Sequence, residues 1–404
     1  MYINRDLETI VLRTSQTFPV VLLTGPRQVG KTTLLEKLAE NGRKYVTLDN
    51  PMVRDVAVND PALFIQRYAP PVIIDEIQYA PELLPYIKMY VDEHKNKGDF
   101  WLTGSQMFHL MKNVSESLAG RVGVITMLGL SSSEIKGYKS TPYKTDSVIL
   151  YDKLNKVKKQ DLKEVYNRIF KGSMPALYEN EQDIEMYYSS YVNTYLQRDI
   201  KDLSQVGDEL AFMRFMTCCA ARTSQMVNYA DMAKDVGISP PTAKQWLSIL
   251  VSSGIITLIE PYFNNLLKRI IKSPNMYFLD TGLCAYLTRW TSSETLEVSA
   301  MSGAFFETYV VSEIIKSYYN AGKRPPIFYY RDTDNKEIDL IIEQDNILYP
   351  IEIKKSGNPK KDAIRHFGVL EKTGKEVGTG NVICFCSDVM PIDRKNYFVP
   401  VWLI

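Results

Sequence analysis

Two stretches of this 404-residue sequence place charged and polar residues at spacings that chemistry uses. The first is GPRQVGKTT, made of Gly25, Pro26, Arg27, Gln28, Val29, Gly30, Lys31, Thr32 and Thr33, which fits G-x-x-x-x-G-K-[ST]. It follows the apolar run from Val20 to Leu23 and precedes the helical pattern TTLLEKLAE, the setting in which a loop wraps phosphate oxygens. Gly25 and Gly30 allow backbone N–H groups to approach an anion, Lys31 reaches the β and γ phosphates, and Thr32 offers a hydroxyl to magnesium. The expected complement is VIIDE, Val72 to Glu76, with Asp75 for the magnesium shell and Glu76 to align and polarise the attacking water. Such acidic pairs are common, so VIIDE takes its meaning from the loop ahead of it.

The second stretch is NKEIDLIIEQDNILYPIEIKKS, two apolar runs joined by a polar turn, with Asp339 in one run and Glu352 and Lys354 in the other. A carboxylate taken out of water needs a compensating partner. Strand alternation puts Glu352 and Lys354 on one face and Ile351 and Ile353 on the other, with Asp339 across the hairpin. A hard divalent cation held by Asp339, Glu352 and the carbonyl of Ile353 would compensate the charge, with Lys354 positioning or deprotonating a water. The bland alternative is an E-x-K on an ordinary strand beside an unrelated aspartate.

Around these residues, 19–135 alternates β-branched runs (VVLLTG, KYVTLD, PPVIIDE, DFWLTGS, VGVITMLGL) with helical stretches, the pattern of a parallel sheet with crossover helices. In FWLTGSQ, Thr103, Ser105 and Gln106 end a strand where a γ-phosphate sensor would stand, and Ser105 is the expected sensor. Arg121, in SLAGRVG, is either a transition-state charge, delivered across a subunit boundary in a homo-oligomer, or a structural surface residue. Residues 140–205 turn helical and basic. Seven Lys/Arg stand against three Asp/Glu between Tyr151 and Lys171, which reads as a solvated helix face.

NYADMAKDVGISPPTAKQWLSILVSSGIITLIEPY has helix-turn-helix spacing, with Ala233 in the first helix, Gly237 at the turn and Trp246, Leu247 and Leu250 on the inner face of the second. The ribbon after it would make a winged helix, with Lys268, Arg269 and Lys272 in or near the wing. Thr242, Lys244 and Gln245 then face a major groove and the wing cations meet phosphates, or the module binds protein.

Composition bounds the rest. Forty-eight Lys plus Arg against 47 Asp plus Glu leave no bulk field drawing the molecule to nucleic acid or anionic lipid, so any polyanion site is a local patch. Five cysteines without paired CxxC units argue against structural zinc and disulfides. No apolar run approaches the ~18 residues a membrane span requires, so the expected location is the cytoplasm, with no membrane partner.

The N-terminal stretch resembles the AAA+ superfamily of P-loop ATPases. YVTLDNPMVRDVAVNDPALF, VIIDEIQYAPELLPYIK, LTGSQ and SESLAGRV are similar to a bacterial and archaeal group of these ATPases with a characteristic C-terminal region. The likeness continues through GSMPALY, YVNTYLQRDI, KSPNMYFLDTGL and GAFFETYVVSEI. It implies ATP and Mg2+ as cofactors and ATP hydrolysis. In YVNTYLQRDI, Arg198 and Asp199 either link a lid to the ATP site or pair with each other.

The order D…P-x-E-x-K resembles the PD-(D/E)XK phosphodiesterase superfamily, although Lys336 and Glu337 stand where its pattern has proline. That likeness implies Glu307 as a further metal ligand from the first helix, and Lys360, Lys361 and Arg365 in a following helix as phosphate contacts. The expected fold is therefore α/β: an AAA+-like P-loop sheet at 1–138, a helical lid at 139–207, a winged helix at 208–292 and a restriction-endonuclease-like α/β domain at 293–404. The expected function is ATP-controlled engagement of DNA with metal-dependent cleavage. The rival readings are a nucleotide-gated DNA-binding regulator whose last domain is catalytically silent, and a signalling or protein-remodelling ATPase without nucleic acid.

Overall fold

A computed structural model describes residues 2–104, 114, 116–179, 182–196, 208–263, 273–334 and 336–404. Ser105, Gln106, Arg198, Asp199, Lys268, Arg269 and Lys272 lie outside the described residues. The five strands expected in the first part are β1 (Val20–Thr24), β2 (Lys44–Thr47), β3 (Val72–Asp75), β4 (Phe100–Gly104) and β5 (Val122–Thr126). They form one sheet in the order β2-β3-β4-β1-β5, every pair parallel. β1 and β4 are buried at all five positions because helices cover both faces.

Alternation decides which face each side chain joins. Val21, Leu23, Ile73 and Trp101 pack with Leu7 and Val11 near α1 (Glu8–Thr17) and with Leu34 and Leu35 of α2 (Lys31–Leu38). Val20, Leu22, Ile74 and Leu102 pack against Ala57 of α3 (Pro51–Asn59), Phe64 of α4 (Pro61–Arg67) and Ile87 of α5 (Leu83–His94). Each such aliphatic or aromatic side chain contributes about 1.5–3 kcal/mol on burial.

In the middle of the chain, Glu209–Ala221 and Tyr229–Val236 precede a turn at Gly237, whose φ of 82° caps the second helix in the left-handed region. The helix Pro240–Ser252 begins at the capping hydroxyl of Ser239. Trp246 packs edge-on against Phe212 and Phe215. β6 (Gln225–Met226), β7 (Ile256–Ile259) and β8 (Asn275–Phe278) make a small antiparallel sheet ordered β6-β8-β7.

The C-terminal part is a mixed sheet running β14-β15-β13-β11-β10-β9, over β9 (Ile327–Arg331), β10 (Glu337–Gln344), β11 (Ile347–Ile353), β12 (Glu376–Val377, beside β11), β13 (Gly380–Cys384), β14 (Met390–Pro391) and β15 (Asn396–Pro400). β10 and β11 form an antiparallel hairpin whose turn residues, Asp345 and Asn346, both have positive φ, as a two-residue primed turn requires. The helix expected at 360–372 is instead two 3₁₀ stretches, Lys361–Ile364 and Phe367–Thr373. Its N–H groups reach back three residues, Ala363 to Lys360 and Val369 to His366, and Pro359 and Gly368 give that segment little helix propensity.

One helix joins the parts. Ser302–Tyr319 is buried around nearly its whole circumference, and Phe305, Val310, Ile314 and Tyr318 share a core with Val21 of β1 and Ile351 and Ile353 of β11. Among the described residues, no helix is long and apolar enough to cross a membrane.

Candidate functional site

The phosphate loop runs from the end of β1 to the start of α2. Gly25 has φ 146°, and a Cβ there would lie 2.0 Å from the carbonyl oxygen of Met127, so only glycine fits. Gly30, at φ 91°, is the residue on which α2 begins. Lys31 is buried, and its Nζ donates to the carbonyls of Gly25 (3.0 Å) and Pro26 (2.8 Å), curled into the loop it serves.

Asp75, at the end of β3, collects three hydroxyls: Thr32 Oγ1 at 3.0 and 3.2 Å from its two oxygens, Tyr45 OH at 3.0 Å, and Thr103 Oγ1 in a short contact. The sheet order explains the convergence, since β2 and β4 flank β3 and carry Tyr45 and Thr103 beside it. Glu76 follows with φ 58° and ψ 47°, an uncommon left-handed conformation for a non-glycine residue. Its N–H donates to Thr103 Oγ1 at 3.2 Å, and its carboxylate accepts from the Gln78 amide. Thr32 and Asp75 sit together as a hydroxyl–carboxylate pair, a donor set that suits Mg2+ shared with substrate phosphates.

Arg121 is not brought to this loop. It stands at the start of β5, where Val20 pairs with Val122, whereas the loop leaves the other end of β1, about 15 Å away over a five-residue strand. Its guanidinium grips both oxygens of Asp92, at 2.5 and 2.9 Å. Any role at a phosphate would have to be in a neighbouring subunit.

Sequence reasoning missed several residues around the loop. Tyr187 OH donates to Gln28 Oε1 at 2.7 Å, and Gly254, at the end of the Pro240–Ser252 helix, lies so close to Pro26 that a Cβ would come within 2.8 Å of its ring. Arg5, nearly fully buried, donates to the Val29 carbonyl (2.8 Å), to the Leu128 carbonyl (2.7 Å) and to Glu134 (3.0 Å). Burial alone would push the Glu134 carboxyl up. The Arg5 charge and hydrogen bonds from Ser131, Arg5 and Asp6 outweigh it and hold the group below its ordinary range. A charged residue in the amphipathic N-terminal segment was the one available signal, and it carried no address.

The hairpin builds the second cluster. Asp339 and Glu352 line one cavity of about 390 Å³ together with Glu337, Lys354, Lys360, Arg365 and His366. Asp339 Oδ2 accepts the Ile353 N–H at 2.7 Å. The β10–β11 register, with Leu340 opposite Ile351, sets Asp339 across from Glu352 on the same face, and the β9–β10 register shifts between Ile338 and Ile341.

The charge compensation expected from a cation is supplied by Lys354, whose Nζ lies 2.6 Å from Glu352 and 3.9 Å from Asp339. Burial and the Asp339 charge raise Glu352 to about 8 despite Lys354, burial also raises Asp339, and Lys354 rises against its own burial because both carboxylates face it. Glu307 does not line the cavity. It accepts from Tyr277 OH at 2.8 Å, and burial followed by repulsion from Asp339 pushes it well up. Among the described residues, no group of three or more His, Cys, Asp or Glu side chains is disposed to hold a metal ion. The two crowded carboxylates nevertheless fit Mg2+, which keeps several waters and shares its sphere with substrate phosphate, whereas Ile353, the expected third ligand, is not in the cavity wall. Lys361 is exposed and outside the cavity wall, while Lys360 and Arg365 are in it.

The Ser302–Tyr319 helix docks on the segment at 130–132. Glu313 accepts the Ser132 N–H at 2.7 Å and pairs with Lys316 at 2.9 Å, and Lys316 donates to the Leu130 carbonyl at 3.2 Å. Ser131 and Glu134, in the same short segment, cap one another beside Arg5.

A parallel five-stranded sheet with its phosphate loop after β1 and an acidic pair ending β3 is a P-loop NTPase domain, here an ATPase domain of the AAA type. Residues 17–136 match the family model described as "AAA domain". Residues 162–294 and 302–404 match two families described as domains of unknown function, DUF8612 and DUF4143. The chain is similar to uncharacterised proteins of Mycobacterium bovis and Mycobacterium tuberculosis, each 29% identical over 361 residues, covering 88% of this chain and 75% of the relative.

Solved structures resemble it more distantly. The Walker-type ATPase PABY2304 of Pyrococcus abyssi aligns at a TM-score of 0.47 with 13% identity, over 71% of this chain and 96% of that one. The STAND protein PH0952 from Pyrococcus horikoshii aligns at 0.28 with 13% identity, over 79% and 47%. At those scores the likeness supports no argument about function.

Proposed function

We propose that this protein is an ATP-hydrolysing AAA-type switch whose nucleotide state governs engagement of DNA at the C-terminal carboxylate cavity, where metal-dependent phosphodiester cleavage takes place. The observation that carries this reading is the Ser302–Tyr319 helix: Glu313 and Lys316 dock it on the segment bonded to Arg5 and thus to Val29 of the phosphate loop, and Glu307, six residues or about 9 Å earlier, stands in the field of Asp339. The four-part division at 138, 207 and 292 belongs to this reading.

At the ATP site, loop N–H groups and Lys31 bind the phosphates, and Mg2+ held by Thr32 and Asp75 would supply positive charge to them. Glu76, fixed by its bond to Thr103, holds the attacking water, and Arg121 acts only in an oligomer. At the cavity, Asp339 and Glu352, with Glu307 nearby, would hold Mg2+, whose chemistry is to neutralise a phosphodiester oxygen. Lys354 keeps its proton against both carboxylates, while Lys360 and Arg365 bind the backbone. The arrangement of helices and β6–β8 supports a winged-helix reading, with the exposed Lys244 and Gln245 and the half-buried Thr242 available to a groove.

Incubating the protein and Mg2+ with plasmid DNA tests this. The native protein cuts, and Asp339→Ala and Lys354→Ala do not. Equal nicking by the variants overturns the cleavage assignment. The direct Lys354–Glu352 ion pair favours the second reading, a nucleotide-gated DNA-binding regulator, which predicts a gel shift without cuts.

A further inference from the structure

Beside the carboxylate cavity lies a second one, of about 710 Å³, and Ser356 is in the wall of both. Its chemistry differs. Phe385 and Trp402 give it aromatic surface, and exposed Lys159, from the basic stretch between Tyr151 and Lys171, stands at its edge. Phe385 is fixed by Phe306, with ring centroids 4.7 Å apart, and its N–H is bonded to the Ser356 carbonyl at 2.9 Å. Trp402 is more than nine-tenths buried and its indole nitrogen is itself covered and without a hydrogen-bond partner, so what it gives the cavity is aromatic surface rather than a donor. The two carboxylates in the wall, Asp161 and Glu164, are engaged in a reciprocal capping box.

We infer that this cavity receives an unpaired base of a DNA strand whose backbone lies across the carboxylate cavity. The substrate class is thereby single-stranded or locally opened DNA. An aromatic wall stacks any base face, and a lysine at the edge meets phosphate. The cavity is of the size that small-ligand sites have. Intact duplex keeps its bases stacked inside and offers nothing to Phe385 or Trp402. The inference rests on the proposal that the protein engages DNA.

Fluorescence anisotropy on the full chain compares a labelled oligothymidylate with a duplex of equal length. The expected result is about tenfold tighter binding of the single strand, reduced about tenfold by Phe385→Ala and by the surface change Lys159→Glu, with duplex affinity unchanged. Lys159→Glu keeps the test valid if the Phe385 variant misfolds. Duplex binding with no preference for the single strand, or a preference untouched by Lys159→Glu, overturns the base cavity and leaves the DNA reading intact. No binding to either probe overturns both.

Discussion

Thr103 and Asp75 come from neighbouring strands, and the Thr103 hydroxyl bonds the Asp75 carboxylate while accepting the N–H of Glu76 at 3.2 Å. One hydroxyl therefore fixes both acidic residues of the ATP site. Thr103→Val removes it with little change of volume. ATP binding is expected to persist and turnover to fall by about tenfold to a hundredfold, the range in which misplacing a catalytic group is felt. Steady-state ATPase kinetics beside nucleotide affinity make the check.

Glu76 holds its left-handed backbone at a cost of about 1–2 kcal/mol. Glu76→Gln should bind ATP and lose hydrolysis at unchanged stability. Glu76→Gly should lose hydrolysis and become more stable by about 1 kcal/mol, read from urea unfolding. A Glu76→Gly protein no more stable than Glu76→Gln would contradict the strain.

Glu134 and Arg5 form a buried ion pair at 3.0 Å. Because the folded carboxyl titrates below its ordinary 4.5, the unfolded chain takes up that proton more readily. The pair's contribution is thus whole above about pH 4.5 and is lost as the pH falls through the lower folded value. Glu134→Gln strands the Arg5 charge and should cost about 3–5 kcal/mol at neutral pH. The gap between native and variant should narrow in acid, which urea midpoints at two pH values would show.

Glu352 titrates near 8, so at neutral pH a cation must displace its proton. Mg2+ or Mn2+ affinity at the cavity should rise as the pH climbs from about 7 and level off above about 8. Calorimetric titration, without nucleotide, of Asp75→Asn protein, in which the Thr32–Asp75 donor pair of the other site is impaired, reads this directly. Asp339→Ala should remove the binding.

The phosphate loop was legible because its residues are contiguous and its chemistry depends on their spacing. Tyr45 and Thr103 reach Asp75 only because the strand order sets β2 and β4 on either side of β3, and a single sequence states no strand order. In the hairpin, alternation placed Glu352 and Lys354 together with Asp339 across from them, and the β10–β11 register, with Leu340 opposite Ile351, agrees. Lys354 takes the compensating role assigned to a cation, since a lysine two residues along a strand returns to the same face. Arg121 is bound by Asp92 across the far end of the sheet, a pairing that depends on where α5 lies. The buried pair Glu313–Lys316 was invisible, because charges at that spacing usually decorate an exposed helix face.

The central claim is that nucleotide at the phosphate loop is felt at the C-terminal cavity through the Ser302–Tyr319 helix. Labelled-DNA affinity with and without a non-hydrolysable ATP analogue tests it, comparing native protein, Lys31→Ala, and the double variant Glu313→Leu/Lys316→Met, which removes both docking bonds without leaving a lone buried charge. The account predicts a nucleotide-dependent shift in the native protein that both variants lose, while the double variant still binds the analogue. A shift of equal size in the double variant would contradict it.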